Sequence, residues 1–207
     1  MALVKYNNNS ISDVTSAPNF PAGAMTLIKT LTISSGTSTV SFVHGSSDVV
    51  FDSTYPIYMF KWINTHHATA DRELVFQGTT DGSNFNVTMT STYFYAYNME
   101  SGSSPLLSYD TARDQSQGTG FQRLTLPIKT DSDGGASGEM FIFNPSDTTF
   151  VKHFISRSAG MGEDAYAQDI KVAGYFNTTS AITGIQFKAR TGNIDSGTIK
   201  LYGIKDS

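Results

Sequence analysis

From Met25 onward apolar and polar residues alternate in short runs, and this period of two is the dominant structural signal of the chain. Met25, Leu27, Leu31 and Ile33 share one face, interrupted by Lys29; Thr26, Thr30, Thr32 and Ser34 take the other, with a lone Ile28. This predicts a half-buried strand, followed by a turn at SSGTS (34–38) and a second strand over Thr39–Val43. Tyr55–Ile63 is apolar on both faces, as an inner strand should be, which assigns Trp62, the only tryptophan, to the core. A loop over Asn64–Asp71 and a strand over Arg72–Gln77 follow. The Asp81-Gly82 pair then predicts a hairpin turn into a strand carrying Phe85, Val87 and Met89.

Tyr93, Tyr95 and Tyr97 line up on one strand face, after which patterning stops from Asn98 to Gly120. Irregular stretches of that length in a compact domain carry function or disorder. Phe121–Ile128 reads as a strand with Leu124, Leu126 and Ile128 inward and Arg123 and Thr125 outward. Beyond the turn at 130–138 come strands at Met140–Phe143 and Phe150–Ser156, separated by the turn Asn144–Asp147. A second irregular stretch, Arg157–Gln168, precedes a strand with Ile170, Val172 and Phe176. The end, Ala181–Asp206, spells two alternating strands that read as a closing hairpin, with phase slips at Gly184 and Gly203 that suggest bulges or strand ends.

About eleven short strands without bridging helices predict an all-β protein, an antiparallel β-sandwich of jelly-roll type. One domain over residues 25–207 is expected, because residues 1–24 show neither period and read as an extended N-terminal arm. Pro18 and Pro21 favour an extended path, and with Tyr6, Ile11 and Phe20 they form a candidate docking segment for a neighbouring surface.

Composition narrows the function classes. Charged residues are 15% of the chain, the net charge is −4 and the pI is near 5.4, so no basic field invites nucleic acid. No cysteine is present, which removes disulfides and thiolate chemistry. No apolar run is long enough for a spanning helix and the first residues lack the core of a signal peptide, so assembly in a cytoplasm without membrane insertion is expected.

Candidate chemistry is sparse. A glycosidase needs two carboxyl groups facing across a cleft; Glu73 and Glu139 are the carboxylates on predicted strands, and their spacing gives no reason to pair them. Asp131-Ser132-Asp133-Gly134-Gly135 resembles a calcium loop only at its start, since Gly135 and Ile142 stand where ligands belong. His66 and His67 are adjacent on the chain and point apart in any strand, and no GxSxG elbow exists. No catalytic residue, metal or cofactor is therefore expected. Tyr93, Tyr95 and Tyr97 are the binding candidates: sugar rings stack on aromatic faces and hydroxyls add polar contacts. The alternative is a half-buried sheet face with its hydroxyls at the rim.

Several segments together carry a resemblance: LIKTLTISSGTSTVSF (27–42), VFQGTTDGSNFNVT (75–88), FNPSDTTFVKHFISR (143–157), AGYFNTTSAI (173–182) and ITGIQFKARTGNIDSGTIKLYGI (182–204). As a set they resemble a group of virion structural proteins from tailed phages of marine and freshwater bacteria. The likeness covers most of residues 25–205 and leaves the N-terminal segment aside. It implies a non-enzymatic component of the virion, a capsid decoration or cement-like protein or a tail-associated one. The partners it implies are the major capsid protein or other virion proteins, with a homo-oligomer or a surface glycan as further candidates. A receptor- or glycan-binding tail or fibre component is the alternative, and a glycan-degrading enzyme comes last.

Overall fold

The computed structural model describes residues 24–69 and 72–205. Among them are twelve strands and no helix, arranged as two antiparallel sheets, so the all-β sandwich expected from the alternation is what forms. Eight strands make the large sheet. In spatial order they are β1 (Met25–Ile33), β12 (Ile194–Ile204), β3 (Ile57–His67), β8 (Ala136–Phe143), β9 (Lys152–Gly162), β10 (Tyr166–Phe176), β5 (Met89–Met99) and β6 (Leu106–Tyr109). The small sheet runs β2 (Val40–Val43), β11 (Gly184–Ala189), β4 (Leu74–Thr79) and β7 (Gln122–Arg123).

Inward residues of both sheets meet in one aromatic core. Phe187 of β11 sits at its centre, with ring centroids 5.3 Å from Phe60, 6.2 Å from Trp62 and 6.4 Å from both Phe42 and Phe76. Phe76 continues the cluster to Phe154 at 5.1 Å, edge to face. Trp62 is fully buried, as its place on an inner strand predicts. Its indole leaves no room on the neighbouring strand: a Cβ at Gly138 would lie 2.5 Å from the ring and 2.5 Å from the Arg157 carbonyl, so only glycine fits there.

The terminal pair is not a hairpin. β11 pairs with β2 and β4 in the small sheet, while β12 pairs with β1 and β3 in the large one. The backbone of the connection is bonded elsewhere, with Arg190 N–H donating to the Glu73 carbonyl at 2.9 Å and Ile194 N–H to the Thr37 carbonyl at 2.8 Å. The ladder runs unbroken through Gly203, and the irregularities of β12 fall between Ile194 and Thr198. The face expected to hold Met25, Leu27, Leu31 and Ile33 together is split: the β1 register shifts between Leu27 and Lys29, so Met25 and Leu27 are exposed on the outer face while Leu31 and Ile33 turn toward the core.

Other expected hairpins and loops are also redrawn. After β4 the Asp81 carboxylate accepts the N–H groups of Ser83 and Asn84 and the Thr79 hydroxyl, so side chains carry the turn and the chain crosses to the other sheet; residues 84–88 form no strand. Those bonds, led by the Asn84 N–H, hold the Asp81 carboxyl well below the usual carboxylate range. Phe121–Ile128 is strand only at Gln122–Arg123. Beyond it main-chain and side-chain bonds share the backbone: Leu124 N–H donates to the Leu74 carbonyl and Ile128 N–H to the Arg72 carbonyl, while Gln168 Oε1 accepts the Leu126 N–H at 2.9 Å and the Ser158 hydroxyl donates to the Leu124 carbonyl at 2.6 Å. Thr125, expected outward, is buried and accepts the Leu74 N–H. β3 continues through His67, the expected gap 98–120 contains β6, and the expected irregular stretch 157–168 is the meeting of β9 and β10 around a three-residue turn.

Lys152 is the one fully buried lysine among the described residues, and its ammonium donates to three carbonyls, Phe150 at 2.8 Å, Thr179 at 2.9 Å and Thr178 at 3.2 Å. It ties the chain after β10 to the start of β9, and burial lowers its pKa.

Candidate functional site

The tyrosine row lies on the inner face of β5, where alternation places it, but its three members sit at different depths. Tyr93 is fully buried, whereas Tyr95 and Tyr97 are half-buried. Strands of the small sheet are shorter than the eleven-residue strands opposite, so the far end of β5 loses its cover. Tyr95 and Tyr97 stack with centroids 6.1 Å apart and planes 8° off parallel, and Tyr97 meets Tyr166 of β10 at 5.2 Å. These three rings and Arg113 line a hollow of about 290 Å³, floored by Leu126 and Pro127 and rimmed by Glu163 and Asp164.

Tyr93 is a correction. Its ring belongs to the core and its hydroxyl, pushed up in pKa by burial, has no hydrogen-bond partner among the described residues, so it cannot stack on a ligand. Tyr166 and Arg113, by contrast, escape a reading that leaves 157–168 and 98–120 irregular. The signal for Tyr166 is present: extending the inward set Ile170 and Val172 back by two and four residues gives Gln168 and Tyr166. Arg113 offers no such pattern.

Glu73 is the hub of a buried charge cluster. Arg190 Nε donates to its Oε2 at 2.7 Å, and Arg113 and Arg123 approach Oε1 to 3.8 and 3.7 Å. Arg113 also pairs with Asp110. Partial burial opposes ionisation of Asp110, but the Arg113 guanidinium and the Ala112 N–H outweigh it and hold the carboxyl below its ordinary value. The cluster ties the segment around Arg113, strand β7 and the end of β11 to one carboxylate. Glu139 is elsewhere, on the outer face of β8 beside Lys61 at 3.5 Å. The two glutamates face no common cleft, so the paired-carboxylate geometry of a glycosidase is not built from them.

The adjacent histidines point apart. His66 Nε2 lies 3.2 Å from the Asp131 carbonyl and Nδ1 3.6 Å from Asp195, while His67 is buried with Nδ1 3.0 Å from the Arg72 carbonyl. A neutral His67 donating from Nδ1 leaves a bare Nε2, which has no partner among the described residues. Burial lowers its pKa from 6.5 to about 4. A depressed folded-state pKa means that the stability from burying the neutral ring is present above pH 6.5 and is lost as pH falls toward about 4. Urea midpoints should therefore drop across that window, and His67→Gln should flatten this part of the drop. An unchanged slope in the variant would assign the acid sensitivity to other groups. No cluster of three or more metal-ligating His, Asp or Glu side chains occurs among the described residues.

The outer face of the large sheet carries two contrasting rows, read across the strands. One is apolar, Leu27, Tyr202, Met59, Phe141, Ile155 and Ala173. The next is charged, Lys200, Lys61, Glu139, Arg157 and Lys171, and ends on Phe94 and Tyr109 at β6. Beside it Leu107 is 78% exposed. Arg157 is held by Asp169 through two bonds of 2.9 Å, which keeps the Asp169 carboxyl below its ordinary pKa. The candidate docking residues Tyr6, Ile11, Pro18, Phe20 and Pro21 lie outside the described residues. No protein-family model, curated protein or solved structure matches the chain.

Proposed function

We propose that the protein is a non-enzymatic structural component of a phage virion, a decoration or cement protein that docks on the capsid. The structural observation that carries this is the uncovered apolar surface at the β6 end of the large sheet, where Phe94, Leu107 and Tyr109 share the outer face and are all exposed. Isolated apolar side chains on a surface are ordinary, but a contiguous group on an uncapped edge strand is a docking feature. The neighbouring row, one carboxylate among four basic side chains, supplies orientation for a partner of complementary pattern. Sequence resemblance along residues 25–205 names the class of assembly, and the major capsid protein is the partner it implies.

The strand order supports a jelly roll. With β5–β6 and β9–β10 set aside, eight strands remain, four in each sheet, in the orders β1-β12-β3-β8 and β2-β11-β4-β7, and the chain changes sheet at every connection between them except β4 to β7, which are neighbours in the small sheet. The two set-aside pairs widen the large sheet and create the docking edge.

The test is sedimentation with particles lacking the protein. Wild-type protein should pellet with them, and Phe94→Lys combined with Leu107→Lys should weaken binding about tenfold or more, a loss in the range of interface hot spots. Both side chains are exposed, so circular dichroism should show an unchanged fold. Equal binding by variant and wild type would remove this surface, and no binding by either would remove the capsid role.

A further inference from the structure

Main-chain geometry leaves one side of β6 open. Asp110 N–H donates to the Tyr93 carbonyl at 3.0 Å, continuing the β5–β6 register by one step as a hydrogen-bonded pair. Such pairs alternate along an antiparallel ladder with pairs whose groups point away from each other. Leu106 and Ser108 therefore turn their N–H and C=O groups to β5, and Leu107 and Tyr109 turn theirs to the free edge. No strand lies beyond β6 among the described residues. The Tyr109 carbonyl accepts the Ser108 hydroxyl at 3.1 Å and keeps a second lone pair for another donor.

This edge lacks the devices that keep strand edges apart. β1, at the other margin of the same sheet, carries Lys29 and a break in register, both of which discourage a further strand. β6 reads Leu106-Leu107-Ser108-Tyr109, with no charge and no register shift, and Leu107 is 78% exposed. Pro105 sets its limit: alternation gives it the same outward orientation, and it has no N–H, so added pairing stops there. An uncharged strand meets no like charge on its own copy, although the chain as a whole carries −4.

We propose that two copies pair antiparallel through β6 about a twofold axis at Ser108, joining their large sheets into one. Ser108 faces Ser108 of the second copy, and Leu107 exchanges both main-chain bonds with Tyr109 of the second copy, as the symmetry requires in return. This register uses every outward group of the strand. Axes at Leu107 or Tyr109 would set Tyr109 against Pro105 or Leu107 against Thr111, beyond the strand. Leu107 lies beside Tyr109 of the second copy on the outer face, an apolar cross-strand pair, and the patches of Phe94, Leu107 and Tyr109 merge across the axis. A four-residue edge buries less than the roughly 800 Å² a side of a standard interface, so the free protein should dimerise weakly, with a dissociation constant of about 10–100 μM. The inference concerns main-chain groups and stands apart from the capsid role, because isolated protein tests it.

Sedimentation velocity from about 5 to about 500 μM brackets that constant, with amide exchange followed by NMR at both limits. Wild-type protein should pass from monomer to dimer. The Leu107 and Tyr109 amides should exchange about threefold or more slowly at the upper limit, while Ser108, bonded within its own sheet, should change little. Leu107→Pro removes an outward N–H and sets a ring against an added strand without touching a bond to β5, so it should weaken dimerisation about tenfold or more with an unchanged circular dichroism spectrum. Should that variant unfold, the wild-type exchange pattern decides alone. Wild-type protein that stays monomeric at about 500 μM overturns the proposal, as does a folded Leu107→Pro protein that dimerises like wild type, or protection that spares Leu107 and Tyr109. Protection of these amides only when capsid particles are added also overturns it, and would give the edge to a strand of the capsid protein. Phe94→Lys, off the edge, should still dimerise, so loss of capsid docking and loss of pairing are told apart.

Discussion

Phe187→Ala is expected to destabilise the protein by about 3–5 kcal/mol, the range for deleting a large ring from a packed core. Phe187 is fully buried and touches four aromatic rings drawn from both sheets, Phe42 and Phe76 from the small one and Phe60 and Trp62 from the large one. Neither sheet can close the void alone, because each is held by its own ladder and the ring is what spans the gap between them. Urea unfolding followed by Trp62 fluorescence checks it, since the indole neighbours the deleted ring. Phe187→Leu should recover about half of the loss by refilling the volume. A loss below about 1 kcal/mol for the alanine variant would mean that the sheets slide together, which the close approach of Gly138 to Trp62 opposes.

Glu73→Ala is expected to cost about 2–4 kcal/mol. Breaking a buried ion pair by removing one partner costs about 3–5 kcal/mol because the remaining charge is stranded; here the partners are partly solvated, with Arg190 46% exposed and Arg113 and Arg123 each 23% exposed, so the value sits lower. Glu73→Gln keeps the shape and one acceptor and should lose less. The readout that separates a hub from a single pair is local: Arg190→Ala removes the shortest contact, and should cost less than Glu73→Ala because Arg113 and Arg123 still face the carboxylate. Equal losses would mean that the Arg190 pair alone matters. Hydrogen exchange in Glu73→Ala should rise at β7 and around Arg113, both of which are tied down through this carboxylate.

Burial was partly readable from local pattern. Trp62 in the core follows from a strand that is apolar on both faces, whereas period two put Met25 and Leu27 on the face of Ile33, and the register shift before Lys29 turns them outward. Partner choice was not readable. The runs 184–189 and 194–204 alternate as two sides of a hairpin would, yet their link donates its hydrogen bonds to Glu73 and Thr37 and sends them to different sheets. The same holds at Asp81-Gly82, where a strong turn signal marks a change of sheet. Segment 124–128 failed for another reason: between its main-chain bonds at Leu124 and Ile128 the side chains of Ser158 and Gln168 take up backbone groups, which local pattern cannot foresee.

At the candidate site the alignment of Tyr93, Tyr95 and Tyr97 was legible and their depth was not. Depth depends on how far the small sheet extends over β5, a property of strands distant in sequence. Glu73, first visible as an isolated acid near a strand, gains its role only from arginines at 113, 123 and 190.

The positions of β11 and β12 carry a consequence for how the protein is made. Each of these last strands lies between two of the earliest, β11 between β2 and β4 and β12 between β1 and β3. A nascent chain emerging from the ribosome therefore exposes the edges of β1 to β4 with no neighbour to fill the gap until β11 and β12 have been made. Both sheets close only once β11 and β12 have emerged, and until then those apolar strands depend on chaperones or on speed.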